Sequence, residues 1–375
     1  MVNFDEFVVM QEGFLNKLNI AVDKIIHEKK SMNLDYNYIE RTLKLMVNNR
    51  NAKMSPVSTV VPIKKEEMIK KSLEFFESID EEVYQKVIDI VLANNKDIKL
   101  NIYNVHSIND FRKKDENNFL QYTTYGVVQN SYGCALVNIP TSSELTKNES
   151  NIINKNNPTL EDLYLIVHEL SHLLDLNLEI GKTTKKEIAG EQEIYEDNIT
   201  RELTAEATAI AFEGLLSDYL LENKAYPKAA IQQISNRRIN SCLQKARTVY
   251  TKLILAREKE EKGKISLDFI ENNMRNYGLS IQGVRGIANN IINYPDDTLM
   301  QNRYAIGGLI APTIVKTYKE KGAEPIKAYL EYARKCDLKS ALNQIGIQLD
   351  AEGIERLNSN FKEYKKIYDI ERDER

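Results

Sequence analysis

Pro158-Thr159-Leu160-Glu161-Asp162-Leu163-Tyr164-Leu165-Ile166-Val167-His168-Glu169-Leu170-Ser171-His172-Leu173-Leu174 is the stretch on which the reading of this chain turns. Leu160, Leu163, Tyr164, Val167, Leu170, Leu173 and Leu174 recur at helical spacing, which predicts a mostly buried helix from Leu160 to about residue 176. Pro158 breaks whatever precedes it. Thr159 with Asp162 three residues on makes a capping-box pattern, and Glu161 adds charge that suits a helix start. Inside this helix lies H-E-x-x-H. Histidines at i and i+4 project from one face about one turn apart, as two imidazoles on one tetrahedral zinc ion require. Glu169 follows the first histidine directly and can reach a water at such an ion without being a ligand, the position of a general base. The chain has four histidines, and His168 and His172 are two of them. The competing reading is a chance match on an amphipathic helix whose histidines pair with acids.

A third ligand is sought downstream. Residues 181 to 198 are polar and charged and read as a loop or short helix. A helix from about Thr200 to Asn223 then carries Glu202, Glu206 and Glu213, whose offsets of four and seven put them near one face. That face also carries Ala205, Ala209 and Ile210, so it is not simply a solvated one. A carboxylate among small apolar side chains needs a partner, because an unpaired buried charge is costly. A metal held by two upstream histidines is such a partner. Glu206 is the candidate ligand, with Glu202 competing and ordinary salt bridging the plain alternative. Cys134, Cys242 and Cys336 are odd in number and far apart, and no C-x-x-C occurs, so neither a thiolate zinc site nor a disulfide framework is indicated.

Upstream, residues 1 to about 50 read as two or three helices. Ser55-Pro56 and Val61-Pro62 make an extended connection. Residues 65 to 93 read as an amphipathic helical stretch, with a break near Ser78-Ile79-Asp80. Alternation at Ile98, Leu100 and Ile102, and the β-prone runs 119–125 and 134–139 around an Asn130-Ser131-Tyr132-Gly133 turn, predict a small antiparallel sheet before the motif helix. Its edge could pair with an extended peptide. His106, near the end of the first strand, reads as a surface or capping residue. Residues 230 to 375 read as helical, with a charged helix end over 254–263. Loops punctuated by Gly278, Gly283 and Gly286 lead to Tyr294-Pro295, and a charged tail frays from Tyr364.

Composition narrows the class. The chain has 375 residues, 42% hydrophobic and 28% charged, enough for a large core in a soluble protein. A net charge of −4 gives no reason to expect nucleic acid or an anionic membrane as partner. Eight prolines and fifteen glycines favour long helices over many turns. No apolar run is long enough to span a bilayer, and the first residues lack a signal-peptide pattern, so a cytoplasmic location is expected, with signal-less export also open. The fold expected is mainly α with a small antiparallel β-sheet, a zincin-like metallopeptidase catalytic domain over 54–375 preceded by a helical segment over 1–53.

Several stretches together resemble the oligoendopeptidase F and thimet oligopeptidase family of zinc metallopeptidases. His168-Glu169-Leu170-Ser171-His172 is similar to that family's H-E-x-G-H, with Ser171 in place of glycine. Glu206-Ala207-Thr208-Ala209-Ile210-Ala211-Phe212-Glu213 resembles its second signature, a ligand glutamate followed seven residues later by another acid. Tyr132 to Asn138 resembles the strand before the motif, and Arg303-Tyr304-Ala305-Ile306-Gly307 its C-terminal region. The likeness runs over roughly 54–360. It implies a Zn2+ ion on His168, His172 and Glu206, Glu169 as general base, and Glu213 as an acid orienting a ligand histidine. It also implies an oxyanion-binding tyrosine, for which Tyr304 is the candidate. Tyr294 falls about where the family has a histidine, and no histidine follows His172. The resemblance further implies an inserted loop between His172 and Glu206, and a shortened N-terminal lid.

The function expected is a zinc-dependent endopeptidase acting on oligopeptides or unfolded polypeptide. Two alternatives stand beside it: an open-cleft protease specific for one protein, and a catalytically inactive peptide-binding relative.

Overall fold

The computed structural model describes residues 4–31, 36–52, 60–91, 99–101, 126–129, 135–138, 159–175, 193–273, 277, 279, 281–293, 302–334 and 337–368. Along some helices it describes the backbone alone. The protein is mostly helical. Its helices are α1 (Phe4–Ser31), α2 (Tyr36–Val47), α3 (Lys65–Ile79), α4 (Glu81–Val91), α5 (Leu160–Asp175), α6 (Glu193–Glu222), α7 (Lys228–Lys262), α8 (Ile281–Asn293), α9 (Asn302–Lys321), α10 (Glu324–Arg334), α11 (Leu338–Gln344) and α12 (Ala351–Tyr368). A π-helical turn, Phe269–Asn273, precedes α8.

The molecule is built around α6. Its second half is buried on most sides, with Ala207, Ala209, Ala211, Phe212, Leu215, Leu216 and Leu220 in the core and Glu213 buried among them. A helix with so much apolar surface around its circumference has to be enclosed. Helices α5, α7, α9, α10 and α11 all pack on α6. Glycine lets α9 come closest. A Cβ at Gly307 would stand 2.9 Å from the Ala207 nitrogen and 3.1 Å from the Glu206 Cβ. On the same helix, a Cβ at Gly308 would meet Cys242 of α7 at 2.5 Å.

Helix α7 ends where the sequence says it must. Gly263 sits at φ 75°, a left-handed conformation that glycine adopts without strain, and its N–H bonds the Lys259 carbonyl at 2.8 Å. Helices α1 and α2 pack on α7 and share its apolar core. Two side-chain amides tie them down. Asn240 accepts from the Ala52 N–H at 2.7 Å and donates back to the Ala52 carbonyl at 3.1 Å. Asn19 makes the same reciprocal pair with Ile265.

The motif helix α5 begins as expected. Asp162 accepts from both the backbone N–H and the hydroxyl of Thr159, the latter at 3.1 Å, one arm of a capping box. The Leu160 N–H bonds the Val61 carbonyl at 2.8 Å, so the extended segment after α2 pins the start of α5. Leu160, Leu163, Tyr164, Ile166, Val167, Leu170 and Leu174 are buried beneath α3, α4 and α6. At about 2 kcal/mol for each aliphatic side chain fully buried, packing alone holds this helix in place.

Several expectations are corrected. The sheet is not antiparallel throughout: in the order β1-β3-β2, β1 (Lys99–Asn101) runs parallel to β3 (Ala135–Asn138), and only β2 (Gly126–Gln129) pairs antiparallel with it. The stretch 119–125, read as a strand, lies outside the described residues. Helix α6 starts at Glu193, inside the stretch read as a loop or short helix and ahead of the start expected near Thr200, because charge does not stop a helix without proline or glycine to break it. Gly283 and Gly286, read as loop residues, lie within α8 on its exposed side. The tail does not fray at Tyr364. Helix α12 runs to Tyr368, whose side chain is fully buried and whose hydroxyl bonds Asp218 at 3.1 Å. Two tyrosines in register on one helix face outweigh the charged residues between them.

Candidate functional site

His168 stands on α5 facing α6. Its Nδ1 is 2.7 Å from Glu213 Oε1. A carboxylate can only accept, so Nδ1 carries the proton, and in the neutral ring Nε2 presents its lone pair on the opposite side. Nε2 faces Glu206 Oε2 at 3.6 Å. Glu206 and Glu213 are two turns apart on α6, which is why one imidazole can lie between them.

Both carboxylates are nearly inaccessible, 5% exposed at Glu206 and 4% at Glu213. Each has an arginine behind it. Arg238 of α7 donates to Glu213 Oε1, the oxygen that also receives His168. Burial works to raise the Glu213 pKa. The positive charge of Arg238 and the hydrogen bonds from His168 and Arg238 outweigh burial and hold the carboxyl below its ordinary range. Arg303 of α9 places its Nε 3.7 Å from Glu206 Oε1. Its Nη2 donates to the Tyr304 hydroxyl at 3.2 Å, and its guanidinium carbon lies 4.9 Å from the centre of the Tyr304 ring. The Lys245 ammonium approaches that ring at 5.6 Å. The site is thus a row of groups from four helices: Arg238, Glu213, His168, Glu206, Arg303, Tyr304.

The fit of a zinc ion rests on one distance. Two ligand atoms, each about 2.1 Å from a tetrahedral zinc, stand about 3.4 Å apart. The 3.6 Å between His168 Nε2 and Glu206 Oε2 is close to that, and too long for a direct hydrogen bond. A nitrogen and a carboxylate oxygen, one oriented by an outer carboxylate, form the donor set such an ion takes. Among the described residues, no group of three or more His, Cys, Asp or Glu side chains is placed to hold a metal ion. Residues 169 and 172 lie on α5 by their backbones, residue 172 one turn beyond His168, and their side chains are outside the description. The Glu202 side chain, Tyr294 and His106 are likewise outside it. Of the expected site, the described residues bring together His168, Glu206 and Glu213, with Tyr304 reached through Arg303.

Ser171, in the glycine position of the motif, is fully buried and bonds back to the Val167 carbonyl at 2.6 Å, so its hydroxyl is absorbed by the helix. Behind Glu213 a cavity of about 30 Å³ lies among Tyr164, Ser217, Ser235, Arg238, Cys242 and Tyr364. Tyr164 and Ser217 are joined at 2.9 Å, and Ser217 and Ser235 at 3.0 Å. Burial raises the Cys242 thiol to about 12, with Glu213 and Glu206 adding to the rise, so it is an inert packing group.

Sequence reasoning missed both arginines. Arg238 sits in Asn236-Arg237-Arg238-Ile239-Asn240, which has no pattern pointing at an α6 carboxylate. Arg303 did carry a signal, its place directly before Tyr304 in a stretch already singled out.

No protein-family model matches the chain, and no curated protein matches it. Among solved structures, one described as that of a candidate peptidase from Chlamydophila abortus superposes over 94% of this chain, with a TM-score of 0.57 and 11% sequence identity. This chain spans 55% of that protein's length. A likeness at that identity is one of fold. Among the described residues no helix is long and apolar enough to cross a membrane.

Proposed function

We propose that this chain is a zinc-dependent peptidase, cleaving oligopeptides or unfolded polypeptide, with His168, His172 and Glu206 holding the ion. The observation that carries the reading is His168 Nε2 set 3.6 Å from Glu206 Oε2 while Nδ1 is fixed by Glu213. H-E-x-x-H on α5, the resemblance to the oligoendopeptidase F family and the fold of the C. abortus protein support it from three directions. When bound, the ion supplies a Lewis acid that polarises a carbonyl and makes water acidic enough to attack near neutral pH.

The chain's own residues do the rest. Glu213 keeps His168 in one tautomer and one orientation, with the Nε2 lone pair turned toward Glu206. Glu169 takes the proton from the attacking water and returns it to the departing amine. Tyr304 donates its hydroxyl to the oxyanion that develops on the carbonyl oxygen, an interaction worth about 100- to 1,000-fold in rate. The buried setting of both carboxylates strengthens every charge interaction there.

The test is a pair of measurements on the purified chain: zinc content, and hydrolysis of a mixed peptide library. The expected result is one zinc per chain in the wild type and in Glu169→Gln, with hydrolysis abolished in the variant. Cleavage by E169Q at the wild-type rate would sink the proposal.

A further inference from the structure

We infer that Arg303 is a positioning residue: one guanidinium pairs its charge with Glu206 Oε1 and donates to the Tyr304 hydroxyl, so Glu206 turns Oε2 to the ion. The inference rests on the zinc reading above. It adds a residue that H-E-x-x-H and the α6 signature do not contain.

The geometry separates the two oxygens of one carboxylate. Oε1 lies 3.7 Å from Arg303 Nε, and Oε2 lies 3.6 Å from His168 Nε2. A carboxylate free on both oxygens can bind a cation through either or both, and two-oxygen binding raises the coordination number of a small ion. With Oε1 occupied by a permanent positive charge, Oε2 alone faces the histidine.

The other end of the same fork reaches Tyr304. Nη2 donates to the phenol oxygen at 3.2 Å, and the guanidinium lies 4.9 Å from the ring centre. A phenol oxygen that accepts from Nη2 turns its own O–H away from the arginine. Arg303 and Tyr304 are neighbours on the first turn of α9, and that turn is fixed to α6 by the close approach of Gly307 to Ala207 and Glu206. The guanidinium therefore spans two groups that sit on rigid elements, one on each helix.

Arginine is required for this because its planar fork can make both contacts. A lysine keeps the charge beside Glu206 but has a single ammonium, which cannot serve both partners in fixed directions. The two functions of Arg303 should therefore come apart on substitution, which a residue that merely stabilises the fold would not allow.

The experiment uses the full chain loaded with Co2+, whose visible absorption reports coordination number. The variants are Arg303→Lys, Arg303→Gln and Tyr304→Phe, each checked for native helicity by circular dichroism. In R303Q the cobalt absorption should fall by about half, as Glu206 turns both oxygens to the ion and the coordination number rises. In R303K the spectrum should stay as in the wild type, while kcat on a peptide substrate falls up to roughly a hundredfold with KM little changed. Adding Tyr304→Phe to R303K should cost less than it does in the wild type, since the tie that orients the hydroxyl is already lost. A wild-type spectrum in R303Q, or full activity in R303K, overturns the inference and leaves the zinc reading standing. If the wild-type chain takes up no cobalt, the zinc reading fails and the inference falls with it. Should R303Q not fold, R303K and its combination with Tyr304→Phe still decide the Tyr304 tie.

Discussion

Glu213 does its work through a single oxygen. Oε1 receives His168 Nδ1 at 2.7 Å and also the Arg238 guanidinium. The arginine keeps the carboxyl charged, and the charge keeps the imidazole proton on Nδ1. Replacing Glu213 with Gln retains an acceptor of the same size but discards the charge and leaves Arg238 without its carboxylate. Metal affinity should fall about 10- to 100-fold, measured by competition with a chromophoric chelator. A loss below twofold would mean the His168 contact is structural. A second carboxyl is perturbed in the opposite sense. Burial lifts Asp162 to about 6 from an ordinary 3.8, against its hydrogen bonds from Thr159, which lower it. The folded state then holds the proton more tightly than the unfolded chain between about pH 4 and pH 6. Stability from this group is full below that window and is lost as pH rises through it. The helix start favours the ionised form, which trims the effect to the order of 1 kcal/mol. Urea unfolding of wild type and Asp162→Asn at pH 4 and pH 6.5 should show the wild type losing about that much relative to the variant. That Glu206 and Glu213 share a face of α6 was legible from their spacing, and His168 stood out by its place in H-E-x-x-H. Arg238 and Arg303 were not, since each reaches its carboxylate from another helix and no local spacing records that.

Between elements, the contact of α9 with α6 is set by hydrogen atoms where side chains would be. At Gly307 an added Cβ would meet backbone, the Ala207 nitrogen at 2.9 Å and the Glu206 carbonyl carbon at 3.0 Å, neither of which can swing aside. Alanine has a helix propensity advantage of about 1 kcal/mol over glycine. Overpacking costs about 1–3 kcal/mol. The clash wins, so Gly307→Ala should destabilise by about 1 kcal/mol or more, and by shifting α9 against Glu206 it should also weaken metal binding. Gly286 supplies the control. It sits on the exposed side of α8 with nothing within 4 Å of its Cβ position, so Gly286→Ala should stabilise by about 0.5–1 kcal/mol. Opposite signs in denaturant midpoints check the pair. Two stabilising changes would mean that α9 rides more loosely on α6 than the distances say. The helices themselves were legible wherever apolar residues recur at helical spacing, as along Leu160 to Leu174. Where charge or glycine dominates, as at Glu193 or Gly283, periodicity is silent, and packing decides.

Across the whole molecule, the far end of the chain braces the helix that carries both site carboxylates. Helix α12 docks on α9 and α7. It places the Tyr364 hydroxyl 2.7 Å from where a Gly214 Cβ would be, so any side chain there, next to Glu213, would have to displace Tyr364 and Val315. One turn on, Tyr368 is sealed in: its hydroxyl bonds Asp218 of α6, and its carbonyl accepts from the Asn236 amide of α7 at 2.8 Å. Three helices thus meet at one residue, α6 on its side chain and α7 on its backbone. Losing a buried aromatic ring costs about 3–5 kcal/mol, more than any surface change nearby. Tyr368→Ala should therefore lower unfolding free energy by that amount, while Ile367→Ala, half exposed beside it, should stay within about 0.5 kcal/mol of wild type. The two variants differ by one position on one helix, so helix propensity and chain length cancel between them. Equal effects would mean that the last turn of α12 is detached in solution, as its charged sequence alone suggests. A large effect at 368 alone would place the chain terminus among the elements that hold Glu206 and Glu213 in line with His168.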